Sequence, residues 1–290
     1  MPIGSGMPRL DGYPFEVRHS DGALARTRAA ADLAAEAYSY FGRLFSASEP
    51  DILLVVADEK DWPGERAPYG LAFFRDEPGE LRPGVVVMPA GGGDFWTAMV
   101  EDLRAATPDG YAKLLETYPD GAGGVDLRPF FELVTIHELA HAFETLGGLK
   151  LPTTWLSEIF VNLAMHAFVA ARRPEGLATL EVLPTVGAGS RRLGARMRAE
   201  GYSTLDEFEA HYPGREASMS PLNYVWFQYR FQRVAADMFT AEGERGLDRF
   251  WECFHAPDHV RPGEATAASL APLLSAKVSP VLGRAVRDWR

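Results

Sequence analysis

The chain has 290 residues, 47% hydrophobic and 24% charged, a balance that permits a sizeable core and argues against a disordered, collagen-like or coiled-coil chain. Its net charge of -11 repels phosphate backbones, so nucleic acid is excluded as an expected partner. No run approaches the roughly 20 apolar residues that span a bilayer, and no membrane association is expected.

The first six residues, Met1 to Gly6, carry no basic segment followed by an apolar one. They read neither as a secretory signal nor as part of the fold. Residues 23–45 are rich in Ala, Leu and Tyr with charges interspersed, the pattern of an amphipathic helix. Three β-type runs follow at 52–57, 69–74 and 85–88, separated by turns containing Pro and Gly, and they predict a small sheet. Beyond Gly91-Gly92-Gly93 the periodicity turns helical, at 95–106, 111–118, 129–146, 154–172, 190–200, 222–240 and 246–254, with shorter pieces beyond. The segments 184–189 and 213–221 read as hinge loops. The single cysteine, Cys253, sits in Phe250-Trp251-Glu252-Cys253-Phe254 and reads as a packing residue. With one cysteine no internal disulfide forms, which fits a cytoplasmic setting. The expected fold class is α+β, with an N-terminal sheet-containing part over 7–125 and a mainly helical part over 126–290 carrying the functional site.

The stretch most informative about chemistry is Val134-Thr135-Ile136-His137-Glu138-Leu139-Ala140-His141-Ala142-Phe143. On a helix, positions four apart share a face, so His137 and His141 can present two imidazoles to one cation. Neutral imidazole suits zinc, and Zn2+ is the expected cofactor. Glu138, one step round, can take a proton from a water at an open coordination position. The segment lacks Pro and Gly until Gly147-Gly148, a plausible helix end.

A catalytic zinc usually takes three protein ligands. Glu158 is the only acidic residue in a stretch otherwise apolar from Trp155 to Val169, just inside a helix that Thr153 or Thr154 can cap. A carboxylate is costly to bury there unless paired or bound to metal, which makes Glu158 the candidate third ligand. Glu144, on the His137/His141 face one turn on, could bind metal itself or orient an imidazole. His166 reads as a core or cleft histidine, and Asn162 as a residue that hydrogen-bonds near Glu158 or simply packs.

His137-Glu138-Leu139-Ala140-His141 followed by Trp155-Leu156-Ser157-Glu158 resembles the gluzincin metallopeptidases. A metzincin pattern would need a histidine at 147, which is glycine. The resemblance implies a zincin-like fold with His137, His141 and Glu158 on zinc and Glu138 as general base. It also implies a sheet whose edge strand holds extended substrate, for which 85–89 is the candidate. It further implies an oxyanion-stabilising tyrosine from the helix that begins Asn223-Tyr224. Tyr224 is the first choice, with Tyr229, Tyr212 and His211 as alternatives. Met88 is followed by Pro89-Ala90 in place of the Glu-Asn with which aminopeptidases hold a substrate amine.

The expected function is therefore zinc-dependent hydrolysis of an amide bond in a peptide or peptide-like substrate. The alternative is a metal-stabilised binding or regulatory protein of the same fold without useful turnover.

Overall fold

A computed structural model describes residues 3–45, 50–63, 67–76, 84–212, 219–255 and 265–289; much of the expected 213–221 loop lies outside them. In chain order the elements are β1 (Glu16–His19), α1 (Leu24–Leu44), β2 (Ile52–Ala57), β3 (Phe73–Asp76), β4 (Gly84–Pro89), α2 (Gly93–Ala106), α3 (Pro108–Thr117), α4 (Arg128–Leu146), α5 (Thr154–Arg172), α6 (Leu177–Gly189), α7 (Arg191–Glu200), α8 (Leu205–His211), α9 (Pro221–Glu242), α10 (Arg245–His255), α11 (Ala267–Lys277) and α12 (Pro280–Arg287). They form two compact units, residues 1–99 with 126–148, and residues 100–125 with 149–290. The mixed α+β class is as expected, with a small sheet near the N-terminus and a mostly helical remainder.

In the first unit the strand order is β1-β2-β4-β3, with β3 antiparallel and the others parallel. β2 and β4 are apolar along their length and buried at every position, the signature of strands covered on both faces. One face meets helices: at Gly84, paired with Ile52, the side chains of Ile52 and Leu146 of α4 close in. Phe143 of α4 sits among Tyr38, Phe41 and Phe45, at ring separations of 5.3, 5.6 and 6.4 Å. A stripe of alanines on α1, Ala30, Ala31, Ala34 and Ala37, is buried beside them. The motif helix α4 is thus grouped with the sheet, whereas its place in chain order put it with the later helices. Apolar packing across long sequence separations decides this.

The opposite face is built from Leu53, Val55, Ala57, Val85 and Val87, and it packs against Ile3, Met7, Trp62 and Phe73. The chain start, expected to lie outside the fold, is therefore a strap across the sheet. Arg18 Nη1 donates to the carbonyls of Gly4 (3.4 Å) and Met7 (3.3 Å), and the His19 N–H donates to Pro8 O (3.1 Å).

Two further expectations about the sheet are corrected. The candidate edge strand, 85–89, is β4 and lies inside the sheet between β2 and β3; the edge beside α4 is β3. The second predicted run, 69–74, is displaced, since pairing with β4 covers only 73–76.

In the second unit α9 is the central helix, flanked by α5 and α6, with α3 against α6 and α11 against α12. By length and composition α5 would suffice to cross a bilayer, but most of it is buried inside the protein, and here it is a core helix. Cys253 is buried, and burial raises its thiol pKa, in line with a packing role.

The expected hinge at 184–189 is instead the second half of α6. Leu180, Leu183 and Val186 are buried, which outweighs the breakers. The Tyr118 hydroxyl donates to Thr179 O (2.5 Å) and accepts from Leu183 N (3.3 Å). It thereby occupies the rung just before Pro184, where an inserted side chain satisfies a ladder that proline interrupts. Gly187 is a close approach: a Cβ there would lie 2.1 Å from Cδ2 of Tyr229.

The strap yields a test. Gly4 has φ +76°, and a Cβ there would lie 3.1 Å from Val55 Cγ2. A Gly4→Val variant should lose about 2 kcal/mol of stability from strain and overpacking, read as a lower urea midpoint. An unchanged midpoint would show that the strap contributes nothing.

Candidate metal centre

Helix α4 starts at a local knot. The Asp126 carboxylate accepts from the Arg128 backbone N–H (2.9 Å) and pairs with the Arg128 guanidinium (2.6 Å). That pairing holds the Asp126 carboxyl below its ordinary range. Pro129, at the first turn, has no N–H to leave unsatisfied. No breaker then intervenes before Gly147, so the motif lies in mid-helix.

His137, Glu138 and His141 lie together on α4, with His137 and Glu138 buried and His141 half-buried. One ligand atom from each falls within 4.8 Å of the others, and the two imidazole centroids are 5.0 Å apart. Two imidazoles and a carboxylate this close form a donor set that can hold a divalent cation, and this chemistry fits zinc.

Two neighbours orient His141. Glu144 Oε2 lies 3.2 Å from His141 Nδ1. A carboxylate only accepts, so Nδ1 carries the proton and Nε2 keeps its lone pair for a metal. Phe74 of β3 lies parallel to the imidazole at 13°, with centroids 6.3 Å apart. Of the two roles open to Glu144, orienting an imidazole is the one this contact favours.

In the second unit, Glu158 is buried on α5. The start of α5 is capped from outside, not by Thr153, whose side chain makes no capping bond. Glu209 of α8 accepts from the Thr154 N–H (2.7 Å) and from its hydroxyl (3.3 Å). Burial raises the Glu209 pKa, and these hydrogen bonds oppose the rise.

Gln228 of α9 was not singled out from the sequence, although it is the uncharged polar residue in a run with Trp226, Phe227, Tyr229 and Phe231. Its Nε2 donates to Glu158 Oε2 (2.7 Å) and to Tyr224 Oη (2.9 Å). Asn162 Nδ2 donates to Gln228 Oε1 (3.1 Å) and to the Glu158 carbonyl (2.8 Å). Glu158 and Tyr224 are therefore joined through one amide. Tyr212 stacks on Tyr224 at 4.7 Å, and His211 stacks on Tyr202 at 3.8 Å. Tyr229 is fully buried, and burial raises its phenol pKa. Tyr224, the first choice among the tyrosines weighed, is bonded to the Glu158 network through Gln228.

His166 is a core histidine. Its Nε2 lies 3.6 Å from Glu181 Oε1 and its Nδ1 lies 3.5 Å from Gln232 Nε2. Burial lowers its pKa to about 4.

No protein-family model matches the chain, and no curated protein matches it.

Two outcomes are expected. Glu144→Ala should weaken divalent-metal binding at this group about ten- to hundred-fold without abolishing it, as loss of an imidazole's partner does; chelator competition measures this. The second concerns His166, whose folded pKa is below the 6.5 of an ordinary histidine. Between about pH 6.5 and 4 the unfolded chain binds the extra proton, so acidification through that window removes stability. His166→Gln should flatten the fall in urea-unfolding stability between pH 7 and pH 5. An identical slope would show that His166 does not contribute.

Proposed function

We propose that the chain is a zinc-dependent hydrolase of the gluzincin kind, with a zincin-like fold, cleaving an amide bond in a peptide or peptide-like substrate. The observation that carries this reading is the Glu138 carboxylate, which lies close beside His137 and His141 on one helix. A purely structural zinc site is normally closed by four ligands and needs no such base.

His137 and His141 would hold the ion, with Glu158 as third ligand. The assignment of Glu158 rests on the sequence, and it is supported by the burial of this one carboxylate on an apolar helix. Zinc, when bound, supplies Lewis acidity toward a carbonyl oxygen and lowers the pKa of water. Glu138 takes the proton from the attacking water and passes it to the departing amine. Tyr224 donates its hydroxyl proton toward the oxyanion that develops on the carbonyl oxygen. β3, an antiparallel edge strand packed beside α4, offers a main-chain ladder for an extended substrate.

Elemental analysis should find about one zinc per chain, lost in His137→Ala and in Glu158→Ala. Glu138→Gln should retain the zinc and lose hydrolysis of a peptide substrate by at least about a hundred-fold. A wild-type protein that stays metal-free when zinc is supplied would sink the reading. Zinc held without any hydrolysis across peptide libraries would favour the binding-protein alternative.

A further inference from the structure

Along α5, Glu158, Asn162 and His166 follow one another at four-residue spacing, and all three are buried. Along α9, Tyr224, Gln228 and Gln232 do the same, and Gln232 is buried as well. Positions four apart share a helix face. The hydrogen bonds from Gln228 to Glu158, from Asn162 to Gln228 and from Gln232 to His166 show that the two faces meet. Most of this seam is accounted for by matching buried polar groups. One member does more.

We infer that Gln228 is a positioning residue that sets the orientation of Glu158 and of Tyr224 together. This rests on the reading of Glu158 as a metal ligand.

The direction of every bond in the network follows from the carboxylate. Glu158 can only accept, so the amide nitrogen of Gln228 faces it at 2.7 Å. The amide oxygen then faces Asn162, whose nitrogen donates to it at 3.1 Å. The second Gln228 N–H goes to the Tyr224 oxygen at 2.9 Å. Both amide protons of Gln228 are thereby committed, and the Tyr224 hydroxyl proton is not spent on this bond. Oε2 of Glu158 is tied to α9, which restrains rotation of the carboxylate. Because one nitrogen serves both acceptors, a shift of Gln228 displaces ligand and tyrosine in concert. Asn162 anchors the arrangement by donating to the Glu158 carbonyl at 2.8 Å, so the amide is held from the backbone of the residue it orients.

A merely structural amide and a positioning amide differ in what its loss changes. Gln228→Met keeps the length of the side chain and removes both donors. Three quantities are read on the full chain: zinc affinity by chelator competition, the visible spectrum of the cobalt(II)-substituted protein, and the urea midpoint of the metal-free protein.

The expected result for Gln228→Met is zinc binding weakened about ten- to hundred-fold and an altered cobalt spectrum. The metal-free midpoint should fall too little to account for either change. Zinc affinity and cobalt spectrum equal to wild type, beside a Glu158→Ala protein that has lost zinc, would overturn the positioning role while leaving the ligand assignment intact. Zinc retained in Glu158→Ala would remove the ligand assignment itself, and the inference with it. If Gln228→Met does not fold, Asn162→Ala takes its place. It frees the amide oxygen of Gln228 and should weaken zinc binding several-fold with the same change in spectrum; an unchanged spectrum and affinity there would equally overturn the inference.

Discussion

Polar groups buried in apolar helices must find partners, and this constraint shapes the α5–α9 pair. Glu158, Asn162 and His166 project from a helix that is otherwise nearly all apolar. Left unmatched, each would cost more than a typical packing contact returns. Gln228 and Gln232 meet them at the same four-residue spacing. Sliding α9 by one turn would place Gln232 opposite Asn162 and leave His166 facing the next turn. The polar seam therefore specifies register, which apolar packing alone would leave open. That register also carries Tyr229 to Gly187 and so positions α6.

The first unit solves a similar problem in a more local way. Helix α4 buries His137, Glu138 and Glu144 among Phe130, Phe131, Leu139 and Phe143. His137, His141 and Glu144 follow one another about one turn apart, and Glu144 reaches His141 within the same helix. The surrounding sheet and α1 provide an apolar setting in which these groups keep fixed orientations. Burial of this kind strengthens electrostatic interaction with any cation bound there. Both units thus place a few polar side chains on rigid helices and hold them with neighbours, the arrangement that preorganises chemistry.

What could be read from the sequence followed the range of the interactions. The motif helix and α5 were legible because apolar periodicity and the His137/His141 spacing are local properties; the α5 bounds, Thr154 to Arg172, agree with the structure at both ends. The grouping of His137, Glu138 and His141 was legible for the same reason. β1 was not, since Glu16-Val17-Arg18-His19 has a single apolar residue and is a strand only through pairing with β2. The interior place of β4 and the cap from Glu209 likewise come from partners far along the chain. α8 is a different case. Its capping box, Thr204 with Glu207, was present as a local signal and was passed over. Gln228 was not legible, because a glutamine in an aromatic run carries no local signal and only its partners on α5 identify its part.

The Tyr118 hydroxyl that stands in for one rung of α6 has an evolutionary consequence. Substitutions at Tyr118 and Pro184 are not independent. Phenylalanine at 118 would strip Thr179 O and Leu183 N of their shared partner, and the harm would depend on whether proline still prevented the helix from closing over the gap. The same holds between Gly187 and Tyr229, where a larger residue at one requires a smaller one at the other. Divergent sequences that keep this helix should therefore change these positions in pairs, as a small epistatic set.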